Sequence, residues 1–173
     1  MTNVLFRETQ RLKPWWVWLI LLPITALMCV GIVRQLIMGI PFGSNPASDG
    51  GLIAISLLVF AFDALFLSMS LKTVIEEDGI FFRLFPITGW KKLEWSDVES
   101  IYTRKYKPLL EYGGWGLRYG NGKAYTMGGN QGIQIVTKSK KKILIGTAKP
   151  EEAEQVLAQF RSKYSISASD TEK

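Results

Sequence analysis

Reactive side chains are scarce in this sequence of 173 residues. Histidine is absent, which removes the commonest metal ligand and the usual general base near neutral pH. The one cysteine, Cys29, lies inside an apolar run, so neither a disulfide framework nor a Cys/His zinc site is expected. Glu76, Glu77 and Asp78 lead into a glycine, where acidic residues are common for conformational reasons. Glu94, Asp97, Glu99 and Glu111 are scattered, and sequence reveals no nucleophile–base pairing among them. The expectation is a protein without enzymatic activity, cofactor or metal.

Two features remain that could bind something. Between Leu84 and Lys149 there are twelve Lys or Arg against four Asp or Glu. They cluster as Lys91-Lys92, as Arg104-Lys105 with Lys107, and as Lys138 with Lys140, Lys141 and Lys142. Such a patch is either a solvated face or a surface drawn to anionic lipid, an attraction worth ~1 kcal/mol per well-placed Lys or Arg. The glycine series Gly113, Gly114, Gly116, Gly120 and Gly122 lacks the following helix that a dinucleotide-binding loop needs. It reads as hairpin turns and bulges, or as a loop exposing Trp115, Arg118 and Tyr119 to a partner. The second feature is Asp63, an acid within a run that is otherwise uncharged. An ionised carboxylate at mid-bilayer costs at least ~2.5–3.5 kcal/mol, so Asp63 is expected to face protein.

The elements that position these residues begin with two apolar runs. Pro14–Val33 carries no charge and is closed by Arg34; Gly51–Leu71 carries Asp63 alone and is closed by Lys72. A helix of about 20 residues covers the hydrocarbon core of a bilayer. Two transmembrane helices, 14–34 and 51–71, are expected, joined by the Gly/Pro/Ser-rich loop 35–50. That loop has no Lys or Arg, whereas the preceding segment 1–13 carries Arg7, Arg11 and Lys13. The positive-inside rule puts both termini in the cytoplasm and the loop outside, in a multi-pass protein of the cytoplasmic membrane. Trp15, Trp16 and Trp18 suit the headgroup layer at the cytoplasmic entrance. Pro23 is expected to kink the first span. Asp49, Ser56, Asp63 and Ser70 recur every seven residues along one helix stripe, and Thr25 falls at the depth of Asp63 if the spans run antiparallel. Helix packing or subunit packing is one reading of Asp63. A proton or ion path in an oligomer is the other.

The remainder, 72–164, is expected to form one cytoplasmic β-rich domain, followed by a flexible tail, 165–173. Lys72–Asp78 and Ile80–Phe85 meet at Asp78-Gly79, a strong hairpin signal. Trp90–Trp95, Ser100–Tyr106, Trp115–Tyr119, Lys123–Met127, Ile133–Thr137 and Ile143–Ile145 read as further short strands. Ser96-Asp97-Val98-Glu99 has capping-box spacing and predicts a helical turn. Pro150 with Glu151, Glu152 and Glu154 opens a helix whose Ala153, Leu157, Phe160 and Tyr164 share one apolar face.

Three stretches carry a resemblance: Thr73–Pro86 (TVIEEDGIFFRLFP), Trp90–Gly120 with its GGWGLRYG segment, and Lys123–Glu152 with ILIGTAKPEE. With the two spans, they resemble bacterial membrane proteins bearing a C-terminal pleckstrin-homology-like (PH-like) domain. The resemblance implies a membrane α-helical hairpin plus a PH-like barrel of about seven strands capped by a C-terminal helix. It implies a location and no activity, and no phosphoinositide pocket is carried over. The expected function is a basic binding or scaffolding domain at the cytoplasmic membrane face, engaging anionic headgroups, a protein partner or a second copy. The alternative is a small subunit or homo-oligomer in transport, using Asp63 with Thr25 and Ser56. Nucleic acid is not an expected partner, because a tethered domain meets lipid headgroups first.

Overall fold

A computed structural model describes residues 4–11 and 15–169. Lys13, Pro14 and residues 170–173 of the expected tail lie outside the described residues, as do the side chains of Trp15 and Trp16. The chain divides into two compact units, Pro14–Ser68 and a β-rich unit that combines Met1–Lys13 with Met69–Lys173.

The first unit holds α1 (Trp15–Ile32), a π-helical turn (Val33–Ile37) and α2 (Asp49–Ser68). The α1 helix runs through Pro23, and the continuous helical stretch extends past Arg34 to Ile37. Val17–Ile37 and Asp49–Ser68 are long and apolar enough to cross a membrane, and only 6% and 11% of their apolar windows are buried. The core helices of a soluble protein are mostly buried, and these two are not. Ser48 caps α2 by accepting the Gly51 amide at 3.2 Å. Gln35 ties down the connecting loop, donating its side-chain amide to the Ala47 carbonyl and to Asp49, each at 2.8 Å. The α2 helix stops at Ser68, so Ser70 opens a strand and leaves the heptad stripe expected of Asp49, Ser56, Asp63 and Ser70. Leu71, expected in the second helix, is fully buried in the core of the β-rich unit.

The β-rich unit contains two sheets. The first is an antiparallel meander of β1 (Val4–Arg11), β2 (Ser70–Glu76), β3 (Gly79–Phe85) and β4 (Lys91–Glu94). The second comprises β5 (Val98–Lys105), β6 (Gly116–Gly120), β7 (Gly122–Thr126), β8 (Gln131–Thr137) and β9 (Lys142–Gly146), in the order β5-β8-β9-β7-β6. The β2–β3 hairpin forms at Asp78-Gly79 as its sequence predicts, and the expected helical turn is the 3-10 turn Trp95–Asp97. Two α-helices complete the described part of the unit: the single turn α3 (Pro108–Tyr112), where no helix was expected, and α4 (Pro150–Tyr164).

The sheets do not close into a barrel, and among the described residues nine strands form where about seven were expected. The β6–β7 hairpin attaches to the free edge of β9 through a parallel β7–β9 pairing, occupying the edge a closing strand would use. The unexpected strand is β1. It comes from before the first membrane-length helix and pairs with β2 along nearly its whole length. Phe6 enters the core, and Glu8 is buried where it accepts bonds from the Thr147 hydroxyl at 2.6 Å and the Ala148 amide at 2.7 Å. Gln10 donates to the Gly146 carbonyl at 2.7 Å.

Core side chains from both sheets meet under α4. Ala153, Leu157 and Phe160 are buried, and the Phe160 ring stacks on Trp95 at 4.3 Å. Tyr164 is 40% exposed, so the helix face is buried only over its first three turns. Glu154 pins α4 to β5 by accepting the Thr103 amide at 3.1 Å and hydroxyl at 2.8 Å, and it pairs with Arg161. Ile166 is buried and Ser167 bridges Ser100, so the start of the expected tail is part of the fold.

Candidate functional site

The gap that keeps the sheets from closing is an open groove of about 880 Å³. Phe82 on β3, Leu93 on β4, Tyr125 on β7 and Ile143 on β9 give it an apolar floor, with the Phe82 and Tyr125 rings edge-to-face at 4.9 Å. Six lysines line it: Lys91 and Lys92 from β4, Lys123 from β7, Lys140 and Lys141 from the β8–β9 turn, and Lys142 at the start of β9. Two clusters far apart in sequence, Lys91-Lys92 and Lys140–Lys142, therefore meet at one place. They do so because β4 ends the first sheet beside the hairpin that extends the second.

The lysines differ in how they are held. Lys92 pairs with Asp78 at 3.0 Å and Glu94 at 3.3 Å, and the bond from Asp78 is the main cause of its raised pKa. Lys140 pairs with Glu99 at 2.7 Å, and Lys123 lies over the Tyr119 ring at 5.2 Å. Lys91 and Lys141 are exposed and have no ion-pair partner among the described residues. Phe82 and Tyr125 are buried in the core, so the apolar surface open to the groove comes mainly from Leu93, Ile143 and Tyr119, and ammonium groups around it can hold an anion that carries an apolar portion. Among the described residues no group of three His, Cys, Asp or Glu could hold a metal.

The turn at one end of the groove depends on glycine. Gly122 has φ +104°, and a Cβ on it would strike the Lys142 backbone and side chain; a Cβ on Gly120 would strike the Glu111 carbonyl. The glycines thus serve close packing of a hairpin against β9 and α3, in keeping with their reading as turn residues.

The other residues singled out from the sequence lie elsewhere. Arg104 forms an ion pair with Glu111 at 2.7 Å and bonds Gln134 at 3.0 Å, a role that supports α3. Lys105, Lys107 and Lys138 are exposed outside the groove. Trp115 donates its indole N–H to the Gly129 carbonyl at 2.8 Å, and Arg118 bonds the Trp115 carbonyl at 3.0 Å. Lys123, Phe82 and Tyr125 were not singled out. The alternation in Lys123-Ala124-Tyr125 was the available signal: Lys123 and Tyr125 line the groove while Ala124 packs with Tyr106, Tyr112 and Leu144.

The Arg104–Glu111 pair makes stability depend on pH. The bond from Arg104 is the main cause that holds the Glu111 pKa below its usual 4.5, against an opposing effect of burial. A carboxyl depressed on folding contributes stability above its unfolded pKa and loses it as pH falls through the folded value. Acid unfolding of the β-rich unit is therefore expected to steepen below about pH 4.5, and Glu111→Gln to flatten that limb in a titration followed by circular dichroism.

In the first unit, Thr25 and Asp63, expected at one depth, are joined across the two helices. Thr25 Oγ1 donates to Asp63 Oδ2 at 2.7 Å and also lies 2.9 Å from the Leu21 carbonyl. Asp63 Oδ1 and the hydroxyl of Ser56 are buried without a partner among the described residues. No protein-family model matches the chain, and no curated protein matches it.

Proposed function

We propose that this chain is a non-enzymatic membrane protein that presents a basic, PH-like binding module at the cytoplasmic face, where the groove engages anionic groups. Those groups are the headgroups of anionic lipid and acidic side chains of a protein partner. The observation that carries the reading is the convergence of six lysines around an apolar floor. A merely solvated basic face would scatter its charges and would not surround a concave apolar surface.

The PH-like assignment draws support from an antiparallel meander followed by a second sheet and a C-terminal helix packed over the core. The cytoplasmic placement draws on the Lys/Arg asymmetry and on β1. Because β1 and β2 are hydrogen-bonded neighbours, the chain leaves the β-rich unit and returns to it, so both flanks of a spanning hairpin share one side. The transport alternative has less behind it. Asp63 is already bonded to Thr25 of its own chain, which fits a packing contact between helices.

The test uses the full chain in phosphatidylcholine nanodiscs, titrated with short-chain phosphatidylglycerol and with short-chain phosphatidylcholine. Binding of the anionic lipid alone is expected, weakened at least ~10-fold in Lys91→Glu/Lys123→Glu/Lys141→Glu, since three charge reversals each remove ~1 kcal/mol or more. Proteins co-purifying with the wild type should be lost with the same variant. Unchanged lipid binding and unchanged co-purification in the variant would contradict the reading.

A further inference from the structure

The turn between β5 and β6 has an exposed apolar tip with no role in the groove. Leu109 and Leu110 of α3 are 70% and 80% exposed, more than any other large hydrophobic side chain among the described residues of the β-rich unit. This is not a slack loop. Glu111 accepts from Arg104 and from the Lys107 amide, each at 2.7 Å. Tyr112 is buried and donates its hydroxyl to the Asn121 carbonyl at 3.2 Å. Gly113, at φ +68°, ends the helix and donates to the Leu109 carbonyl at 3.1 Å. The fold therefore spends a buried tyrosine, an ion pair and a left-handed glycine on holding two leucines in water.

We propose that α3 is a membrane-inserting tip, whose leucines enter an anionic leaflet while Lys105 and Lys107 contact its headgroups. Both lysines are exposed, and neither has an ion-pair partner among the described residues. Their cationic heads beside the two leucines match a leaflet in charge and polarity: apolar interior below, phosphate above. The inference rests on the proposed membrane reading, in which the chain itself supplies a leaflet: Met69 alone lies between a membrane-length helix and β2. Insertion adds a second membrane contact to the unit and limits its rotation about that short connection. The tip stands independently of the groove, whose residues it does not share.

The test places a nitroxide at Leu110→Cys in the full chain carrying Cys29→Ala, in phosphatidylcholine nanodiscs with and without phosphatidylglycerol. Leu110 is exposed, so the label leaves the fold intact. With phosphatidylglycerol, the label is expected to gain collisions with oxygen and lose collisions with a water-soluble nickel chelate. Lys105→Glu/Lys107→Glu should return it to a water-accessible signal. A label that stays water-accessible in the anionic nanodisc overturns the proposal. So does equal protection in both nanodiscs, or dipolar broadening between labels that shows a second copy covering the tip.

Discussion

Phe6→Ala is expected to destabilise the β-rich unit by about 3–5 kcal/mol, the usual cost of deleting a buried phenylalanine. The size of the effect is notable for the residue's place in the chain, ahead of both membrane-length helices. Phe6 is 2% exposed and packs in the same core as Leu71, Ile75 and Ile80, residues that follow those helices. Its loss leaves a cavity and loosens β1, the edge strand that covers β2. Glu8→Ala acts on the same attachment by a different route. It strips the Thr147 hydroxyl and the Ala148 amide of their acceptor, at about 1–3 kcal/mol for a buried unsatisfied group. Thermal unfolding in detergent, followed by near-ultraviolet circular dichroism, reads both. A melting temperature unchanged by Phe6→Ala would mean that β1 is not an integral strand.

Trp95→Ala carries an expected loss of similar size, about 3–5 kcal/mol. Trp95 sits in the 3-10 turn between the two sheets, 3% exposed, with its ring stacked on Phe160 of α4. Its indole N–H donates to the Glu76 carbonyl at 3.1 Å, which ties the turn back to β2. One side chain therefore joins the first sheet to the covering helix. Trp95→Phe keeps a six-membered ring to stack on Phe160 but gives up the hydrogen bond and part of the indole's packing, so its expected loss is smaller, about 1–3 kcal/mol. If the two variants melted together, stacking against Phe160 would not be what holds α4 in place.

Local signals with local causes were legible in the sequence. Asp78-Gly79 marks a hairpin because a two-residue turn needs those residue types, and Pro150 with its acids marks a helix start because the first turn tolerates both. The Thr25–Asp63 bond followed from depth in two antiparallel helices, a one-dimensional inference. What escaped notice depends on partners distant in sequence. Val4–Arg11 buries only Phe6 and Glu8, too weak an alternation to announce a strand, and its pairing partner lies beyond both helices. The barrel stayed open because β7 pairs with β9 in parallel, a choice that no turn residue encodes. Likewise, Arg104 and Lys91 are both bases in a basic region. Only the fold sets Arg104 against Glu111 and Gln134 and leaves Lys91 at the rim of a groove.

The proposed function and the proposed tip both require the β-rich unit to lie on the cytoplasmic side, where anionic lipid is met. The side of the membrane on which the groove lysines lie is therefore the most direct test. Lys141→Cys in the Cys29→Ala background, treated with a membrane-impermeant maleimide, should be labelled in sealed inside-out vesicles and protected in right-side-out ones. Labelling from the outer side in right-side-out vesicles would contradict the account.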